Sequence, residues 1–358
     1  MADGGSMRID LLCNDGSPLG VTPPDIYGRG VGGAELAMLS LVTTLAARGH
    51  DVRVFNDPQP AGVHEGVEFL PLAAYDNRVQ RDALIIFRSP NARVRFEDRT
   101  WTRLIWWSTD QYTVGSFKEL GAKVDLCVTI SPHHAQFLAG RYGLPPSKLV
   151  TLDLGVRQQD YENVPEPIPH RLIYCSVPDR GLPVLHACWP LIRREVPDAT
   201  LVITSDYRLW GLSTPNNHQH RLAWAGEKGV EFLGRIPRLS LCQEQMKAQI
   251  NAYPCTYDEL FCISVAECQV AGAMPVTSAY GALPTTNQYG IQVFGTPTEP
   301  GFVRTFVQRI VALMTEEKSY FTRKRDNMIV ASRRRFDWNR IAADWERLIE
   351  KGKLEESA

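Results

Sequence analysis

Short runs of aliphatic, β-branched and aromatic residues, each followed by a stretch of helical periodicity, recur along this chain at residues 8–14, 51–57, 83–89, 103–109, 126–131 and 149–156. Such alternation leads to parallel sheets, because two parallel strands need a long crossover that a helix normally supplies. The runs LIIF at 84–87 and LIWW at 104–107 are continuously apolar, as expected of strands covered by helices on both faces. A second series follows at 171–177, 199–205, 230–234, 249–253, 274–279 and 291–295. Between the two lies RQQDYENVPEPIPHR, residues 157–171, where three prolines and several charges break the pattern and mark a passage between domains. A chain of 358 residues is long for one core, and two α/β domains, 7–160 and 161–336, are the simplest division. The last helix, 337–352, is amphipathic through Trp338, Ile341, Ala342, Trp345 and Leu348. The opening MADGGS reads as an appended leader, with the fold beginning near Met7.

Composition narrows the function. Hydrophobic residues at 44% and charged residues at 22% describe a soluble globular protein, not a disordered one. A net charge of -1 gives no basic excess for a phosphate backbone, so no nucleic-acid partner is expected. The cluster Arg323, Lys324, Arg325, Arg333, Arg334 and Arg335 reads as a solvated helix face; weak peripheral contact with anionic membrane headgroups is its other reading. The eight cysteines have no C-x-x-C pair and no histidine at zinc spacing, so neither a metal site nor a cofactor cage is expected. Reduced thiols inside apolar segments, with no signal peptide or membrane span in view, favour the cytoplasm.

Two regions carry candidate chemistry. After the first strand, Gly28, Gly30, Gly32 and Gly33 precede a clear helix. Glycines allow close backbone approach, and unpaired N–H groups at a helix start attract anions such as phosphate or diphosphate. The spacing is neither of the two familiar nucleotide-loop patterns, and dinucleotide binding stays open for this half. In the second half, YPCTYDELFCISVAECQVAGAMPVTSAYGALPTT holds Glu259 in a loop after a strand and Glu267, seven residues intervening, on a helix starting near Ser264. Backbone N–H groups there suit phosphate, and the two carboxylates can accept hydrogen bonds from hydroxyls, in which sugars are dense. Gly281 in the next loop again offers backbone to a ligand.

These motifs resemble those of the retaining glycosyltransferases of the GT-B fold, specifically glycosyltransferase family four, over nearly the whole chain. The carriers are the Glu259 and Glu267 pair, the small-residue helix, Met274-Pro275-Val276 and Gly281 to Pro284. Gly32 to Glu35, Ile130 to His134, Leu154 to Val156 and Phe232 to Ile236 fall in the family's order. The resemblance implies two Rossmann-like α/β domains facing a cleft, an acceptor-side N-terminal one and a nucleotide-sugar-binding C-terminal one, with the last helix packing back on the first. It implies that Glu259 bonds donor-sugar hydroxyls, that Glu267 bonds the ribose, and that Phe261 and Cys262 offer backbone N–H groups. It also implies that Arg180 neutralises the leaving diphosphate, that Ile236 lies against the base, and that Gly32 and Gly33 meet the diphosphate. A nucleoside diphosphate sugar is the implied donor, and a sugar or other hydroxyl compound the implied acceptor.

Three positions depart from the family's pattern. A second cation falls on Cys175, with Arg235 as its candidate substitute; a catalytic histidine falls on Thr109, leaving Asp110 as the acceptor-side candidate; and a glutamate falls on Thr285. No D-x-D motif is present, so the metal-bridged diphosphate site of the other main glycosyltransferase fold is not expected. His133 and His134 read as structural or capping groups at a helix start, and Trp106 and Trp107 as core or site wall. The alternatives to transfer are sugar-nucleotide epimerisation and a catalytically weak nucleotide-sugar-binding relative.

Overall fold

The structure, a computed structural model, describes residues 5–13, 20–89, 93–111, 117–207 and 216–354. The first four residues of the expected leader, and Asn14 at the end of the first expected strand, lie outside the described residues. The chain forms two compact units: Met1–Gly155 with Trp338–Ala358, and Val156–Asp337.

The first unit holds β1 (Arg8–Leu12), β2 (Asp51–Phe55), β3 (Gly62–His64), β4 (Val67–Leu70), β5 (Arg81–Phe87), β6 (Trp101–Trp107), β7 (Leu126–Thr129) and β8 (Leu149–Thr151). They form one eight-stranded sheet in the order β3-β4-β2-β1-β5-β6-β7-β8, parallel throughout except for the β3–β4 pair. Its helices are α1 (Pro23–Tyr27), α2 (Gly33–Ala47), α3 (Phe117–Lys123) and α4 (Pro132–Tyr142). The β3–β4 hairpin has no counterpart in the expected strand list. It is short, and it turns on Glu65 and Gly66, both at positive φ (48° and 79°), as a two-residue hairpin requires. Glu-Gly is a weaker local signal for that turn than Asn-Gly or Asp-Gly, and three or four residues are too few to show alternation.

The second unit holds β9 (Arg171–Tyr174), β10 (Thr200–Ile203), β11 (Val230–Phe232), β12 (Ile250–Tyr253), β13 (Met274–Ser278) and β14 (Ile291–Val293). All pair in parallel, in the order β11-β10-β9-β12-β13-β14. Numbered within the unit this is 3-2-1-4-5-6, the doubly wound order, whose direction reverses between β9 and β12. Its helices are α5 (Leu182–Glu195), α6 (Asn216–Ala223), α7 (Arg238–Lys247), α8 (Ile263–Ala271), α9 (Leu283–Thr286), α10 (Pro300–Met314) and α11 (Lys318–Arg335).

The last helix, α12 (Trp338–Lys351), belongs to the first unit. Its apolar stripe of Trp338, Ile341, Ala342, Trp345, Leu348 and Ile349 is buried, and each such large side chain contributes roughly 1.5–3 kcal/mol. Trp345 packs edge-on to Trp107, ring centroids 5.2 Å apart, while Glu346 accepts hydrogen bonds from Arg48 at 2.6 and 2.7 Å. Trp106 and Trp107 are therefore core residues of the first unit.

The expected solvated face of α11 needs correction. Arg325 is buried and donates to the carbonyls of Gly272 at 3.1 Å and Pro165 at 2.7 Å. Arg333 donates to the carbonyl of Tyr161, and Arg335 to that of Thr285. A guanidinium carries five donors in a fixed fork, so it satisfies loop and helix-end carbonyls that helix-internal bonds leave over. Among the described residues no helix is long and apolar enough to cross a membrane.

Candidate functional site

Ligands of open parallel sheets bind beyond the carboxyl ends of the strands, where the strand order reverses. In the second unit that point lies between β9 and β12, and the loops following them carry Arg180 and Glu259. Arg180 Nη1 donates to Glu259 Oε1 at 2.9 Å, and its guanidinium lies over the Tyr257 ring, 4.3 Å from the centroid. The Tyr253 hydroxyl, at the end of β12, donates to the same Oε1 at 2.5 Å. Glu259 Oε2 has no hydrogen bond among the described residues, leaving its lone pairs for a ligand hydroxyl. Burial opposes the charge on Arg180, but Glu259, with smaller contributions from Tyr253, Cys262 and Tyr257, outweighs it and holds the guanidinium protonated. Burial, then the Glu259 charge, pushes the Tyr253 hydroxyl well up, so it stays a donor.

Glycines lock these loops together. Gly281 has φ +57°, and a Cβ there would lie 2.5 Å from the Glu259 carbonyl oxygen; Ala282 N–H donates to that oxygen at 2.7 Å. At Gly181, φ +151°, a Cβ would meet the Pro254 carbonyl oxygen at 2.5 Å, and the neighbouring Thr256 N–H donates to the Arg180 carbonyl at 3.0 Å. Cys262 takes the left-handed conformation, φ +73°, as it caps α8, an uncommon state for a residue with a side chain. The N–H groups of Phe261 and Cys262 make no hydrogen bond among the described residues, which suits an anion at the start of α8. The Phe261 side chain itself is core, edge-on to Phe336, so only its backbone is available to a ligand.

Glu267 is buried one turn further along α8. Arg238 Nη1 donates to its Oε1 at 2.6 Å and Gln245 Nε2 to its Oε2 at 3.4 Å. Ile236 is half-buried in the turn after β11, and Arg235 N–H in that turn donates to Asp206 Oδ2 at 3.4 Å. Cys175, where a second cation is the family's pattern, lies just past β9 with its Sγ 3.6 Å from that of Cys268. All eight cysteines are free thiols.

In the first unit the order reverses between β1 and β5. Gly32 is the N-cap of α2 and Gly33 its first residue. Arg88, directly after β5 and at φ +66°, donates to Glu35 Oε1 at 2.7 Å, while its Nε lies 2.6 Å from Asp110 Oδ2. Thr109 Oγ1 donates to the same Asp110 oxygen at 3.2 Å. Asp110 is thus ion-paired. Among the described residues, no group of three or more His, Cys, Asp or Glu side chains could hold a metal ion.

Sequence reasoning passed over Arg88, Tyr253 and Arg238. Only Arg238 left a local signal: a cation in the first turn of α7 opposes the helix dipole, which calls for carboxylates nearby.

His134 is structural. Ser131 caps α4 by accepting from His134 N–H at 3.0 Å. The imidazole Nδ1 accepts from Ile130 N–H at 3.4 Å, so the neutral ring carries its proton on Nε2, 3.3 Å from Ser108 Oγ. Burial, with a smaller push from His133, lowers its pKa from 6.5 to about 3. Between those values the unfolded chain binds the extra proton, so stability is complete above 6.5 and falls as pH falls toward 3. Acidifying from about pH 7 to about pH 4.5 removes on the order of 2–3 kcal/mol through this group. His134→Gln should flatten the pH dependence of the urea midpoint over that range; an unchanged slope would contradict the assignment.

No protein-family model matches the chain, and no curated protein matches its sequence. Solved structures do match. Sucrose-phosphate synthase from Thermosynechococcus elongatus superposes with a TM-score of 0.71 at 17% identity, covering 96% of this chain and 98% of that one. The catalytic domain of starch synthase IV from Arabidopsis thaliana, bound to ADP and acarbose, gives 0.71 at 12%, covering 96% and 99%. Anabaena HepE in complex with UDP and glucose gives 0.63 at 16%, again covering 96% and 99%. The chain has the GT-B glycosyltransferase fold, two α/β units each built on a largely parallel sheet.

Proposed function

We propose that this chain is a retaining glycosyltransferase of family four type, moving a sugar from a nucleoside diphosphate sugar to an acceptor hydroxyl in the cytoplasm. The observation that carries this reading is the Arg180–Glu259 pair at the strand-order reversal of the second unit, beside the unpaired N–H groups that open α8. A cation and backbone donors suit a diphosphate, and a carboxylate with one unengaged oxygen suits a sugar hydroxyl. Solved relatives of the fold carry such ligands, including HepE in complex with UDP-glucose, at a TM-score of 0.64 and 17% identity. The free thiols support a reducing compartment.

In this reading the bond from the anomeric carbon to the diphosphate breaks, and a bond to the acceptor oxygen forms on the same face. The acceptor proton passes to the departing phosphate oxygen, so no covalent enzyme intermediate forms. Arg180 and the α8 N–H groups stabilise the charge developing on the leaving group, Glu259 orients the sugar, and Glu267 holds the ribose. Gly32, Gly33 and Asp110 are assigned to the donor phosphates and the acceptor side.

Because Arg180 and backbone donors meet the diphosphate, transfer is read as metal-independent. Incubation with UDP-glucose, ADP-glucose or GDP-mannose should release the free nucleoside diphosphate slowly, at a rate that EDTA leaves within about two-fold. Interconversion of the sugar would mark an epimerase, release of nothing a binding relative, and complete loss on chelation a metal-dependent site.

A further inference from the structure

Arg238, the first residue of α7, ties three elements together around Glu267. Its Nη1 reaches Glu267 on α8, its Nε reaches Asp160 Oδ2 at 3.0 Å, and its Nη2 reaches the Tyr161 hydroxyl at 3.3 Å. Tyr161 in turn donates to Gln245 Oε1 at 2.7 Å, and Gln245 returns to Glu267 Oε2. The network is buried: the side chains of Arg238, Asp160 and Glu267 are 8%, 2% and 4% exposed. Burial works against the guanidinium charge, but Glu267, Tyr161 and Asp160 hold it protonated.

A buried ion pair adds little stability over apolar side chains of the same volume, so the network's effect is sought in what it holds still. Two of the roughly four lone-pair directions of the Glu267 carboxylate are engaged, one on each oxygen. That leaves one acceptor direction per oxygen, a fork matching two neighbouring hydroxyls. We propose that Arg238 is a positioning residue that fixes the Glu267 carboxylate as a two-pronged acceptor for the ribose cis-diol, and so sets a preference for ribonucleotides. This rests on the donor reading of the site given above. Lysine at this position cannot do the same, because one ammonium lacks the planar fork that holds Asp160 and Glu267 together.

The test titrates ADP, GDP and UDP, and their 2′,3′-dideoxy counterparts, into the full-length protein by calorimetry. Wild type should bind at least one ribonucleotide about ten-fold or more tightly than its dideoxy form. In Arg238→Met and Arg238→Lys that ratio should fall below about three-fold, mainly through weaker ribonucleotide binding. A merely structural arginine would lower the melting temperature and leave the ratio intact. If Arg238→Met does not fold, the lysine variant decides. A folded variant keeping the wild-type ratio, or a wild type binding both sugars equally, overturns the positioning role alone. A wild type that binds none of the nucleotides overturns the donor reading, and this role with it.

Discussion

Replacing Arg180 with methionine should lower donor turnover by about 10²–10³, equivalent to roughly 2.7–4 kcal/mol of transition-state stabilisation. The guanidinium is 21% exposed and Glu259 only 5%, so the pair sits where charge is poorly screened. Charge on the diphosphate grows as the glycosidic bond breaks, and a fixed cation is worth more then than in the ground state. Affinity for the free nucleoside diphosphate should fall less, by about ten-fold, the range for one charge-assisted bond. The methionine variant also strips Glu259 of its counter-ion, leaving a buried carboxylate with its charge uncompensated. Arg180→Lys controls for this, because it restores a cation and should recover turnover to within about ten-fold of wild type. Single-turnover donor hydrolysis separates the effects: a methionine variant of normal rate constant and raised KM would show that Arg180 only binds.

The fold was legible because both sheets are largely parallel and buried, and such strands announce themselves as apolar runs between helical stretches. The edge hairpin of β3 and β4 was not, since its strands are short and its turn residues, Glu65 and Gly66, are not the strongest signal. The candidate carboxylates Glu259 and Glu267 stood out by their spacing and context; which arginine each one faces did not. Arg88 meets a glutamate 53 positions away, Arg180 one 79 away and Arg238 one 29 away. Pairings of that kind are made by the strand order, which brings the ends of β9, β12 and the α7–α8 pair together, and no local window contains it. The arginines of α11 illustrate the same limit in reverse. Their clustering looks like a solvated face, yet Arg325, Arg333 and Arg335 bond backbone carbonyls, because a long side chain with an apolar stem can carry its head across a buried surface.

Glu259→Gln should separate sugar handling from nucleotide binding, lowering turnover as Arg180→Met does but without its loss of nucleotide affinity. The substitution keeps the shape and an oxygen to accept from Tyr253, but removes the charge that Arg180 faces at 2.9 Å. With that carboxylate charge gone, more of the Arg180 charge reaches the diphosphate, so affinity for the nucleoside diphosphate should hold or rise by about two- to three-fold. Sugar-dependent turnover should fall by about a hundred-fold. A neutral amide is a weaker acceptor than a carboxylate for the sugar hydroxyl, and the oxygen left without a hydrogen bond in the wild type becomes an NH₂ group that can only donate. Calorimetry with the nucleoside diphosphate and with the intact donor, alongside hydrolysis rates, reads both quantities on one preparation. Parallel losses for nucleotide and donor would place Glu259 on the nucleotide instead of the sugar. Wild-type turnover in Glu259→Gln would remove Glu259 from the reaction and leave the pair with Arg180 as a structural tie between the loops after β9 and β12.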